Sequence, residues 1–277
     1  MKGKPWGVLR VHVNRTVGMI LLTLMLSVFP VTGASQEPAT IRITNGEWPP
    51  YLGSEEPYYG LASRIVTEAF ERAGYRVEYG FFPWSRSLYL AREGVWDGTA
   101  VWFSNPERVR NFHLSDPIIL SEYVFFHRND LVFDWETVGD LAGYQIGITS
   151  DYAYGEAFDR AVAEGVIETE TVFRDELNFR KLLMGRIDLF PIDLVVAAHM
   201  IDREFDAEEA ARLAWHPRPI RSDRLKLMLS RHVPENEERI EAFNQALMEM
   251  RREGRIEDLI IESLGRTIPV HGVVPRD

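Results

Sequence analysis

The sequence predicts an α/β protein built of two similar lobes, and three observations predict it. A helix-like stretch ends at Gly94, Val95 and Trp96 follow, and Asp97 opens an apolar run, Gly98 to Trp102. The same phrase returns at Gly185, where Arg186 and Ile187 precede Asp188 and the run Leu189 to Ile192. A helix, a glycine C-cap, a short turn and a buried strand make a βα-type unit. Around both phrases, helical and strand periodicities alternate along the chain. Two lobes built alike imply a cleft, and clefts between lobes hold small molecules.

The elements follow in order. Thr40 to Thr44 alternates apolar and polar residues as a strand does, and Asn45 to Tyr51 is a turn-rich loop. From Gly60, the residues Leu61, Ile65, Val66, Ala69 and Phe70 fall at helical spacing until Gly74. Val77 to Phe82 reads as a second strand, Trp84 to Arg92 as a second helix, and the run after Asp97 as a third strand. Ser104 to Arg108 is a turn that opens a short helix, Ser115-Asp116-Pro117 is a further turn, and Tyr123 to His127 is a strand leaving the first lobe.

A second series starts with strand Tyr144 to Ile148 and the loop Thr149-Ser150-Asp151. Helix Tyr152 to Ala163, strand Glu168 to Phe173, helix Glu176 to Met184 and helix Leu194 to Ile201 continue it. Leu225 to Leu229 is strand-like, and Ile240, Phe243, Leu247 and Met250 share one face of a closing helix that Leu259 to Leu264 extends.

Composition narrows the class. Lys2, Lys4, Arg10 and Arg15 precede an apolar run from Val17 to Val31, and Thr32-Gly33-Ala34 offers small residues for cleavage. A run of about 15 residues is short for a membrane span of ~20, so residues 1–34 are expected to be a signal peptide. Their removal takes the net charge from −11 to −15. So acidic a chain is a poor partner for nucleic acid or anionic lipid, which demand clustered Lys and Arg. The chain has no cysteine, hence no disulfide and no site for the lipid-modified cysteine that tethers many exported bacterial proteins. It is expected free in the periplasm.

Catalytic and metal motifs are missing. The chain has no Gly-x-Ser-x-Gly, no phosphate-binding Gly-x-x-x-x-Gly-Lys and no His-Glu-x-x-His, and its seven histidines form no metal-spaced pair. No cofactor and no metal are expected.

One ordered series of phrases carries more. Trp48-Pro49-Pro50-Tyr51, Gly60 opening a helix, Pro83-Trp84, Gly94-x-x-Asp97, Ser104-Asn105-Pro106-Glu107-Arg108, Leu114-Ser115-Asp116-Pro117, Asp140-Leu141-x-Gly143, Ile146-Gly147 and Gly185-Arg186-Ile187-Asp188 through Asp193 succeed one another. The series resembles the bacterial extracellular solute-binding proteins of family 3, the periplasmic amino-acid receptors of ATP-driven importers, over about residues 39–265.

The resemblance implies the two-lobed type II periplasmic binding fold with a hinge of two crossover strands. Lobe 1 would comprise residues 38–120 plus 224–266, lobe 2 with the hinge crossings 121–223, and a C-terminal tail 267–277. It also implies that a monomer closes on one small-molecule ligand and docks on an inner-membrane ABC permease.

By the same resemblance Arg108 takes the family's carboxylate-binding position, a role that suits a planar guanidinium with its two parallel donors. Asp193 takes the position of the ammonium-binding acid, although an Asp before Leu194 can equally be a helix N-cap. Trp48 and Trp84 match aromatic positions that sandwich the ligand, and the adjacent Glu47 can add an acceptor.

The chain also departs from the family pattern. Val101-Trp102-Phe103 stands where receptors carry small hydroxyl residues, and Asp151-Tyr152-Ala153-Tyr154 stands where a Gly-Thr-Thr-like loop is usual. An aromatic-rich pocket of Trp48, Trp84, Trp102 and Tyr152 would suit an aromatic, heterocyclic or quaternary-amine ligand. Some relatives are dehydratases of small cyclic acids, and in that alternative Glu47 and Asp193 would serve as general acid and base. A sensory module would need an attached transmembrane or signalling domain.

Overall fold

The computed structural model describes Met1, Gly3, residues 37–150 and residues 152–264. The expected signal peptide (but for Met1 and Gly3), Asp151 and the 267–277 tail lie outside the described residues. Compact units comprise Met1–Glu37 and Pro38–Asp277, and the second holds all the described helices and strands.

The unit opens as the periodicity predicts. Strand β1 (Ala39–Asn45) buries Ile41 and Ile43, and helix α1 (Leu61–Arg72) buries Leu61, Ile65, Val66, Ala69 and Phe70 on one stripe. Gly60, at φ 93°, starts α1 where a Cβ would come within 2.5 Å of the Tyr51 carbonyl oxygen. No larger residue fits there. Strand β2 (Tyr75–Phe81), helix α2 (Trp84–Arg92) and strand β3 (Gly98–Trp102) follow, and β1 lies parallel to both β2 and β3.

Helix α3 (Pro106–Asn111) leads into β4 (Phe112–Arg128), a 17-residue strand. Here the structure departs from the sequence reading, which placed a turn at Ser115-Asp116-Pro117. The chain stays extended there because β9 (Arg221–Ser230) pairs antiparallel with β4 from Phe112↔Ser230 to Tyr123↔Arg221, and register shifts around Pro117 absorb its missing donor. The two long strands are the crossovers.

Between them come β5 (Ile146–Thr149), α4 (Glu156–Ala163), β6 (Thr169–Val172), α5 (Asp175–Leu183), β7 (Phe190–Asp193), α6 (Leu194–Glu204), α7 (Ala207–Ala211) and β8 (Leu213–Trp215). Helix α4 begins at Glu156 and not at Tyr152, because Tyr154 turns its hydroxyl inward against Thr149 and Gly155 breaks the helical path at φ 112°. Helices α8 (Asn236–Arg252) and α9 (Arg255–Leu264) close the unit.

The main sheet runs β2-β1-β3-β9-β4-β7, with β8 also on β4, and β5-β6 form a small parallel pair. The larger core joins Ile41, Phe70 and Phe243 to Phe126, Phe179 and Phe190, so apolar packing runs through both α/β halves. A second core gathers Phe125, Trp135, Leu141, Tyr154 and Phe158 around β5. Continuity between the halves arises because β4 contributes Ile118 and Ile119 and then Val124 and Phe126 to the same core.

Candidate functional site

The end of β3 builds the first part of the site. Val101 sits at φ 52°, a left-handed conformation that costs a β-branched residue on the order of 1–3 kcal/mol. The register of β3 on β9 shifts there, between Thr99 and Trp102. Trp102 donates its Nε1–H to Thr99 Oγ1 at 2.9 Å and meets Trp84 edge-to-face, with centroids 5.2 Å apart and planes at 90°.

Trp84 lies against Gly46, where a Cβ would fall 2.4 Å from the indole. Gly46→Ala is therefore expected to push Trp84 off Trp102 and cost about 1–2 kcal/mol, as overpacking does. A shifted tryptophan emission with a lowered urea midpoint checks this, and an unchanged spectrum would argue against the contact.

Arg108 stands on α3, whose N-cap Asn105 accepts the Arg108 N–H at 2.8 Å. Its side chain turns back so that Nη1 donates to the Phe103 carbonyl at 2.7 Å, with Cζ 4.1 Å from the Phe103 centroid and 4.6 Å from that of Trp102. Among the described residues no carboxylate forms an ion pair with it. Arg221 lies over the same Phe103 ring at 5.0 Å. Loss of solvent draws the Arg108 pKa down, Glu107 opposes this and Arg221 adds to it. A half-buried guanidinium with spare donors and a cationic neighbour has the chemistry to receive an anion.

Asp193 ends β7, opposite Tyr123 of β4, which in turn stands opposite Arg221 of β9. One row of the sheet thus holds Arg221, Tyr123 and Asp193. The Asp193 carboxylate is 1% exposed and accepts four hydrogen bonds. Two come from Val195 N and Val196 N at 2.9 and 3.0 Å, one from Ser121 Oγ at 2.7 Å and one from Tyr51 Oη at 3.3 Å. It caps α6 and also ties Tyr51, from the first half, to the second. Burial pushes its pKa up to about 6 against the pull of those donors. The Tyr51 hydroxyl is raised as well, by its own burial and by the carboxylate.

A cavity of about 370 Å³ lies beside this row, and Glu47, Trp48 and Tyr152 line it. Trp48 packs on Tyr51 at 4.7 Å, and Glu47 accepts the Ser54 N–H at 3.2 Å. Tyr152 donates to Asp175 Oδ2 at 3.1 Å, and burial lifts the Asp175 pKa. Across the cavity Arg203 Nη1 reaches Glu56 Oε1 at 3.0 Å, with His199 Nε2 3.6 Å away.

The structure therefore sorts the seven sequence-predicted residues. Trp84, Trp102 and Arg108 form one contact group, Glu47, Trp48 and Tyr152 share a cavity, and Asp193 lies buried, reached through Trp48 and Tyr51. Sequence reasoning missed Arg221, Phe103, Tyr51 and Ser121 as members of the site. Tyr51 stood in the Trp-Pro-Pro-Tyr phrase, and Arg221 would have been found by extending the strand before Leu225 through Arg221-x-Asp223. Among the described residues no group of three or more His, Cys, Asp or Glu side chains is placed to hold a metal ion.

A sheet crossed by two long strands that pass from one α/β half to the other defines a type II periplasmic binding fold. The chain belongs to the bacterial extracellular solute-binding proteins, family 3, whose profile matches residues 41–264. Among curated proteins no sequence matches the chain.

Solved structures agree on the fold. Lactococcus lactis GlnP substrate binding domain 2, in its open conformation, aligns with a TM-score of 0.64 at 17% identity, over 84% of this chain and 98% of that domain. The GluR0 ligand-binding core from Nostoc punctiforme, in complex with L-glutamate, gives 0.61 at 18% identity, over 81% and 99%. The ancestral amino-acid-binding protein AncCDT-1, a precursor of cyclohexadienyl dehydratase, gives 0.59 at 17% identity, over 82% and 95%.

Proposed function

We propose that the chain is a periplasmic solute-binding protein. It is exported by its 1–34 signal peptide, closes on one small amino-acid-like or carboxylate-bearing ligand, and delivers it to an inner-membrane ABC permease. The lobes are residues 38–120 plus 224–266 and residues 121–223, swinging about β4 and β9. The observation that carries this reading is Arg108. Half-buried between Trp102 and Phe103, it has donors to spare and no acidic partner among the described residues. A group so placed is stabilised by an incoming carboxylate.

Native mass spectrometry of the protein as isolated tests the reading. The expected result is one equivalent of a carboxylate-bearing small molecule, lost on gentle denaturation. Protein that carries none, and that no carboxylic acid stabilises against heat, would defeat it.

The likeness to AncCDT-1 supports a second reading, a dehydratase of a small cyclic acid on the same scaffold. Its acid–base pair would have to be other than Glu47 and Asp193, since Asp193 is buried under four hydrogen bonds and Glu47 lines the cavity beyond Tyr51. Product analysis after incubation with cyclic acids separates the two readings.

A further inference from the structure

We propose that Tyr51 occupies the acceptor an α-ammonium group would need, so that the ligand is a carboxylic acid without an α-amino group: a simple, hydroxy or keto acid. The inference rests on the solute-binding reading above and narrows its ligand class.

Three observations support it. The first is acceptor capacity. A carboxylate offers about four lone-pair directions. Asp193 Oδ1 already takes Val195 N, Val196 N and Tyr51 Oη, and Oδ2 takes Ser121 Oγ. One direction on Oδ2 is left.

The second is access. Asp193 is 1% exposed and Tyr51 is 0% exposed, with Trp48 packed on the Tyr51 ring. An ammonium can reach the carboxylate only by expelling the phenol, and would then leave a buried hydroxyl without its partner, at a cost of about 1–3 kcal/mol.

The third is charge at the other end of the row. Arg108 and Arg221 lie over one Phe103 ring at 4.1 and 5.0 Å. Arg221 is partly committed, pairing with Asp223 and donating Nη1 to the Ala153 carbonyl at 2.6 Å. Arg108 spends only Nη1, on Phe103. The surroundings of an incoming anion are therefore cationic, while Tyr51 shields the acid that would balance an ammonium. Glu47, an acid that lines the neighbouring cavity, already accepts the Ser54 amide.

Calorimetry with matched pairs tests this: L-glutamate with glutarate, L-phenylalanine with 3-phenylpropanoate, and L-leucine with 4-methyl-2-oxopentanoate and 4-methylpentanoate. The wild-type protein is expected to bind at least one desamino acid at least 10-fold more tightly than its α-amino partner. Tyr51→Phe opens the carboxylate and is expected to narrow that gap at least 10-fold by improving the amino acid. Tyr51→Leu, which removes the hydroxyl and the ring that covers the carboxylate together, should move the gap in the same direction, so a poorly folded Tyr51→Phe leaves the test standing.

An α-amino acid that binds wild type as tightly as its desamino partner, in an Arg108-dependent manner, overturns the inference while the solute-binding reading survives. A gap that neither variant narrows also overturns it. No binding by any compound in the panel overturns both.

Discussion

Arg108→Ala is expected to weaken binding of the small molecule released from the native protein by roughly 2–4 kcal/mol, about 30- to 1,000-fold. The magnitude follows from what the side chain leaves behind. The ligand carboxylate would lose a charge-assisted, two-pronged partner held half-buried against Trp102 and Phe103. Arg108→Lys should recover only part of the loss, because an ammonium is a point donor and stacks less well on the two rings.

The fold should tolerate both changes. Arg108 donates one side-chain hydrogen bond, to the Phe103 carbonyl, and forms no ion pair among the described residues. Calorimetry on variants with matched thermal midpoints makes the measurement, and an affinity unchanged in the alanine variant would remove Arg108 from the site.

The second large effect is a pH dependence. Burial holds the Asp193 pKa at about 6, above its ordinary 3.8. The unfolded chain releases this proton near 3.8 and the folded chain keeps it until about 6. The stability that comes from the neutral carboxyl is complete below the lower value and is lost as the pH rises through the upper one. Two units correspond to a change on the order of 3 kcal/mol.

Asp193→Asn keeps the shape, still offers an oxygen to Tyr51 and the α6 amides, and does not titrate. The wild-type advantage over that variant, from urea unfolding, is expected to shrink by that order between about pH 4 and pH 7. The raised Asp175 and the lowered Glu68 and Glu262 are present in both proteins and cancel in the difference. A difference that stays flat across this range would show that Asp193 is charged and well solvated in the folded state.

The sequence named the candidate site one residue at a time. Arg108 was picked out by the family resemblance of Ser104-Asn105-Pro106-Glu107-Arg108, and the structure shows Asn105 capping the short helix that carries it. Trp84 and Trp102 were found as aromatics, but their edge-to-face contact needs Gly46 to bring the loop after β1 against α2.

Asp193 carried two readings in the sequence, helix cap and ligand acceptor. The structure shows the cap outright and adds what no spacing could reveal, a hydroxyl from a residue 142 positions away. The long β4 was missed for a related reason. Pro117 and its polar neighbours favour a turn locally, and only the pairing offered by β9, about a hundred residues on, keeps them extended.

Through its family resemblance the sequence named candidate ligand-contacting residues; the order of helices and strands apart from α7 and β8, the twin Gly–x–x–Asp units and the acidic charge it determined alone. Each rests on interactions within a few residues or on side-chain type, and periodicity records those directly. The tertiary structure alone decided that Arg221, Tyr123 and Asp193 share one row, that Tyr51 covers the carboxylate, and that apolar packing runs through both halves. Those outcomes depend on strand register and on contacts between residues far apart in the chain, where a shift of a single residue would turn every side chain to the opposite face.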